Sequence, residues 1–326
     1  MDNEFIKRLD YISEQFNRYF GILIFIFGFV GNILNCFILS QRTFRFNPCG
    51  LLFLISSFID LISILIGLTT RILAGWQLDP TSTIDWICKF RAFTVFSTRT
   101  MSIWLITLAV IDRWFLSSMD LHRRQMSSLK NVYRGIILTL ILSTLSYIHM
   151  IYCYQSNIID APLQCYGKNN ICRLITDLIY ALITIVIPSI LMIIFTMMII
   201  SNIRALRRRI QTVTILSITI PSREKQIKYK RTDHQLLPML LVQVILLVIF
   251  CVPQAIQKIY ILFKPFASVS KEEDALNHFL YNIEVLMAFI ASGMPFYLYT
   301  LCGGTVFRRA STHFIKTIQK KIKCSS

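Results

Sequence analysis

Apolar residues gather in seven long runs, at 20–39, 51–72, 93–114, 135–154, 178–201, 236–262 and 279–301. A helix needs about 20 mostly apolar residues to cross ~30 Å of hydrocarbon, and each run meets that length. The pattern predicts an all-α membrane protein, a bundle of seven transmembrane helices joined by loops too short for a second folded domain. Residues 1–19, ahead of the first run, carry Asp2, Glu4, Asp10 and Glu14. That is a poor start for a signal peptide, so 20–39 is expected to remain as a helix.

Composition supports the pattern. The chain of 326 residues is 55% hydrophobic and 16% charged, with mean hydropathy +0.58, whereas soluble domains run near ~25% charged. A soluble fold buries at most ~75% of its unfolded surface, so this much apolar residue excludes an ordinary cytosolic enzyme.

The net charge of +17 is unevenly placed. Seven spans put the two ends on opposite sides. With the C-terminus in the cytoplasm, the inner segments hold 21 basic residues against the acids Asp120, Glu224 and Asp233, and the outer segments hold 11 of each sign. This asymmetry orients the chain with 1–19 extracellular, 20–301 transmembrane and 302–326 cytoplasmic. The basic face is then expected to lie on anionic lipid of the plasma membrane, and nucleic acid is not an expected partner. There is no Gly-rich phosphate loop, no His pair at metal spacing and no Ser/His/Asp order, so no enzyme, cofactor or metal is expected.

The third run carries the most specific signal. Cys88 and Asp112-Arg113-Trp114 stand at its ends, and the 25 residues from Cys88 to Arg113 make ~38 Å of helix, enough to reach across one bilayer. This spacing resembles that of the rhodopsin-like G-protein-coupled receptors, whose triplet usually ends in Tyr. Gly31-Asn32, Leu54, Asp60, Trp76, Pro188, Pro253 and Pro295 match other positions of that family, and Gly303 with Phe307-Arg308-Arg309 resembles the start of its short amphipathic eighth helix. The resemblance runs from about residue 20 to 323. Departures occur as well. Ser57 replaces an Ala and Thr196 a Tyr, and the fourth span lacks its Trp. Phe250-Cys251-Val252-Pro253 stands for Cys-Trp-x-Pro, and Met294-Pro295-Phe296-Tyr297-Leu298 for Asn-Pro-x-x-Tyr. Tyr297 and Tyr299 are both open as replacements for the missing Tyr.

The resemblance implies roles for particular residues. Asp112, Arg113 and Trp114 would serve coupling to a heterotrimeric G protein, with Asp233 as a latch partner for Arg113. Against this, Arg113 would snorkel and Asp233 lie in solvated loop. Asp60 cannot stay charged and unpaired at mid-membrane. With Ser102 and neighbouring Asn32 it would either hold a Na⁺ ion or stay protonated and hydrogen-bonded. Arg99 and Glu284 would face the central ligand cavity, paired with each other or each meeting an opposite charge on a ligand. Gln254, Gln257 and Lys258 add polar groups at its mouth. Val95 stands where amine receptors carry Asp, and Ala288 where opsins carry Lys. By elimination the expected ligand is a peptide or another mid-sized polar molecule, an argument from the fold alone.

Nine cysteines are not a disulfide framework. On the family's pattern Cys88 bonds a Cys of the loop 155–175, which offers Cys165 and Cys172; the family's mid-loop position favours Cys165. Cys324, after the basic stretch 314–323, is a palmitoylation candidate. A membrane transporter or channel, or a receptor fold without G-protein coupling, is the competing expectation. A transporter would favour inverted repeats and broken helix pairs, which the sequence lacks.

Overall fold

The computed structural model describes residues 2–158, 164–214, 224–263, 271–302, 307 and 312. Among the described residues, seven helical spans are long and apolar enough to cross a membrane: Glu4–Leu39, Pro48–Gly75, Asp85–Ser117, Leu129–Cys153, Asn170–Leu206, Leu237–Ile261 and Lys271–Gly293. The fourth shows why the bundle suits lipid. Along Leu129–Tyr147 it buries Val132, Thr139, Ser143 and Tyr147, while Ile137, Leu138, Ile141, Leu142 and Leu145 are each about half exposed. The buried four recur at seven- and four-residue steps, one helical stripe. Apolar side chains thus face outward and hydroxyls inward, the reverse of a water-soluble helix. The chain is a multi-pass membrane protein.

The first span begins earlier than the apolar pattern indicates. Helix Asp2–Gln15 leads through one π-helical turn, Phe16–Phe20, into Gly21–Leu39. Its charges are accommodated along the helix, with Arg8 on Glu4 at 2.7 Å. Its inner side is tied to the bundle where Asn282 donates to Ser13 at 2.7 Å.

The second helix starts at Pro48, where a missing N–H costs nothing. Asn47 caps it, accepting from the Gly50 N–H at 3.3 Å. The sixth helix, Glu224–Phe263, contains Pro238 and Pro253. The seventh breaks at Met294 and resumes as Pro295–Cys302, because Pro295 has no N–H to continue the ladder. First and seventh spans touch backbone to backbone: a Cβ on Gly293 would lie 2.9 Å from the Gly28 Cα. Asn32 clamps this crossing, donating to the carbonyls of Gly28 at 2.9 Å and Ser292 at 3.0 Å.

A short antiparallel pair, Tyr154–Gln155 with Tyr166–Gly167, lies between the fourth and fifth spans. Disulfides Cys88–Cys165 and Cys153–Cys172 fasten it. The first joins the two cysteines favoured from the sequence. The second was not foreseen, since Cys153 lies inside an apolar run. Of the eighth helix expected in 302–326, Phe307 and Thr312 are described and helical. Arg308, Arg309, the basic stretch 314–323 and Cys324 lie outside the described residues.

Candidate functional site

At the disulfide end the bundle encloses a cavity of about 50 Å³. Arg71 enters it from the second span, Arg91 and Arg99 from the third, and Gln254 from the sixth. Tyr154, Cys165 and Tyr166 of the tethered loop close one side, and Tyr281, Val285 and Phe289 of the seventh span line another. Arg91, Val95 and Arg99 are four residues apart and therefore share one helix face. Arg71 is 3% exposed and donates to Asn282 at 2.6 Å. Arg99 is 4% exposed, with its guanidinium 4.6 Å from the centre of the Phe289 ring. Arg71 Nε, Arg91 Nε and Arg99 Nη2 are buried without a hydrogen-bond partner among the described residues.

The expected Arg99–Glu284 pair does not form. The seventh span turns Tyr281, Val285 and Phe289 toward the cavity, and residue 284 lies about 100° off that stripe. Glu284 Oε2 has no hydrogen-bond partner among the described residues, and its carboxyl lies in the field of Lys258. Lys258 is bonded to Asp177, which also accepts from the Tyr166 hydroxyl at 3.2 Å. Burial, then the nearby Asp177 carboxylate, push the Tyr166 phenol well above its ordinary range. Gln254 accepts from Tyr180 at 2.9 Å. Gln257 donates to the Asn277 carbonyl at 2.8 Å and is not part of the cavity wall.

Below the cavity, the fifth span widens from the α-helix Asn170–Ile179 into a π-helical segment at Tyr180–Val186. Ile187 N–H bonds back to Leu182. The equivalent donor for the Ile183 carbonyl would be residue 188, a proline. That freed carbonyl accepts the Trp104 indole N–H at 3.0 Å. Thr100, Thr184 and Tyr147 join third, fifth and fourth spans through hydroxyls 2.5–3.1 Å apart.

At mid-bundle, Asp60, Ser102, Ser292 and Cys251 surround a space of about 20 Å³, and Arg99 lines this space too. Ser56 donates to Asp60 Oδ2 at 3.4 Å and lies 3.1 Å from the Ser102 hydroxyl. Asn32 is engaged by Gly28 and Ser292 instead. Cys251, where the resemblance calls for Trp, leaves room for the Arg99 side chain between the two cavities. Tyr299, not Tyr297, enters the core: it is 1% exposed, packs 5.0 Å from Phe53 and donates to Gln243. Tyr297 reaches back to the Phe27 carbonyl at 3.0 Å.

At the opposite end, Arg113 is 4% exposed and donates to Asn47 Oδ1 at 2.6 Å. Its Nε lies 3.9 Å from Asp112, which accepts from Ser127 at 2.7 Å. Trp114 packs 5.0 Å from Phe195 of the fifth span. The Asp233 side chain lies outside the described residues. Asn47 was missed in the sequence, although an Asn-Pro pair opening an apolar run is a recognisable helix cap.

Comparison with known proteins agrees with this arrangement. The family model described as "7 transmembrane receptor (rhodopsin family)" matches residues 31–299. A neuromedin U receptor homolog, nmur-2, of Caenorhabditis elegans is 26% identical over 126 residues, covering 38% of this chain and 30% of that protein. The match therefore spans under a third of the relative's length. Helices, tethered loop and Arg113 triplet fit the family's pattern as receptors rather than enzymes. The chain belongs to the seven-transmembrane receptors of the rhodopsin family.

Proposed function

We propose that the chain is a plasma-membrane receptor that binds an extracellular peptide and activates an intracellular heterotrimeric G protein. Residues 1–19 and the arginine cavity face outward, and Arg113 faces the cytoplasm. One observation carries the reading: a polar cavity under a tethered loop at one end, with a buried arginine at the other end of the same helix. The partial likeness to a neuromedin U receptor homolog supports a peptide ligand. The charge asymmetry of the loops supports the orientation. Ligand binding would bias the bundle between two arrangements of the Arg113 end, as any ligand with unequal affinities does.

Sodium fits poorly in this reading. The space beside Asp60 holds about 20 Å³, about one water, and the Arg99 guanidinium already brings a positive charge to it.

The test is expression with a tag at each end. Surface staining of intact cells should find the N-terminal tag alone, and a peptide library read by G-protein biosensors should yield an activator. Staining of the C-terminal tag without permeabilisation would contradict the orientation.

A further inference from the structure

Three arginines converge on the outer cavity, and among the described residues no acidic side chain lines it. Among the described residues, none of Arg71, Arg91 and Arg99 makes an ion pair. Arg91 is close enough to Arg71 to repel it, and the more distant Asp79 carboxylate, which does not line the cavity, offsets this in part. Three cations gathered in a membrane bundle with no acid bonded to any of them are costly, and such charges ordinarily meet an opposite one. Lys258 does not add to the imbalance, because Asp177 holds it. Asp60 lies behind Arg99 and offers one carboxylate to three guanidiniums.

We propose that the cavity receives a carboxylate of the ligand, held among Arg71, Arg91 and Arg99. The proposal deepens the receptor reading above and rests on it. One buried, unpartnered nitrogen on each of the three guanidiniums offers a charged N–H donor, and a carboxylate oxygen is the acceptor that suits it. The volume of about 50 Å³ admits a few water-sized groups, enough for a carboxylate and too little for a larger side chain beside it. A cationic ligand head would find no acid there. The carboxylate can come from a peptide's C-terminus or from an Asp or Glu side chain.

Both sources are tested on the purified full-length receptor, without G protein, by its thermal unfolding midpoint. The probes are N-acetyl-phenylalanine, N-acetyl-phenylalanine amide, and N-acetyl-aspartyl-phenylalanine amide. At least one of the two acids should raise the midpoint with concentration, and the uncharged amide should not; whichever acid does so identifies the source. Arg91→Gln should shift the half-maximal concentration of that acid upward about tenfold or more, the usual consequence of losing a charged hydrogen bond. Arg91→Gln should also raise the midpoint of the unliganded receptor, since it removes a charge that repels Arg71.

Equal shifts by acids and amide, no shift by either acid, or an unliganded Arg91→Gln receptor less stable than the parent would each overturn the proposal. Failure of G-protein coupling leaves these binding results untouched. Activation by an amidated, acid-free peptide unaffected by Arg91→Gln would sink the carboxylate proposal and leave the receptor reading standing.

Discussion

Asn47 joins two functions in one side chain: it caps the second span and accepts a hydrogen bond from Arg113 at 2.6 Å. Both groups are about 96% buried, and the donor is charged, so the bond is worth about 1.5–3 kcal/mol. If it belongs to the closed arrangement alone, losing it shifts the closed-to-open ratio about 10–100-fold. Asn47→Ala also removes the cap, at about 1 kcal/mol, which confuses stability with signalling. Asn47→Ser separates them, because serine keeps a capping oxygen but is too short to keep the Arg113 contact. Basal G-protein activation at matched surface expression should therefore rise in Asn47→Ser with thermal stability near the parent. Asn47→Asp, which keeps both contacts and adds a negative charge, should lower it. Parent-like basal activity in Asn47→Ser, with signalling still lost in Arg113→Ala, would refute the lock.

Further outcomes follow from other contacts. Gly293→Ala places a Cβ 2.9 Å from the Gly28 backbone, so thermal stability should fall by about 1–3 kcal/mol; an unchanged midpoint would show that the first and seventh spans separate freely. Replacing both Cys153 and Cys172 by Ala opens a loop closed over 19 residues and should cost about 3 kcal/mol, checked by denaturation of reduced and unreduced parent alongside. Trp104→Phe leaves the freed Ile183 carbonyl without its indole donor and should cost about 1–3 kcal/mol, read from the same melts. Exchanging Na⁺ for K⁺ at constant ionic strength should leave the parent's midpoint unchanged while Arg99→Ala becomes sodium-dependent. A sodium-dependent parent would show that Arg99 does not occupy the site beside Asp60.

Much of the architecture was legible because membrane helices declare themselves by length and hydropathy alone. The seven runs, the Cys88 tether and the Arg113 triplet needed no partner to be recognised. The first span's extension to Glu4 was hidden because its residues are charged, and its fixing contact, Ser13 with Asn282, lies far away in sequence. The arginine cavity was half legible. Arg91 and Arg99 stand eight residues apart on one helix face, a readable signal. Arg71 joins them only through packing of the second span on the third. Glu284 shows the opposite case: it lies level with Val285, which lines the cavity, but a difference of about 100° around the helix turns it away. The Asn47 contact required knowing which loop residue the folded bundle brings to Arg113, and charge patterns carry no such information.

In the proposed receptor, binding at the arginine cavity is transmitted to a G protein through Arg113. The most direct test of this transmission is a peptide library screened on cells expressing the receptor or its Arg113→Ala variant at equal surface density, read by biosensors for several G proteins. At least one peptide should activate the parent and fail on Arg113→Ala while still binding it. A peptide that activates both proteins equally would contradict transmission through Arg113.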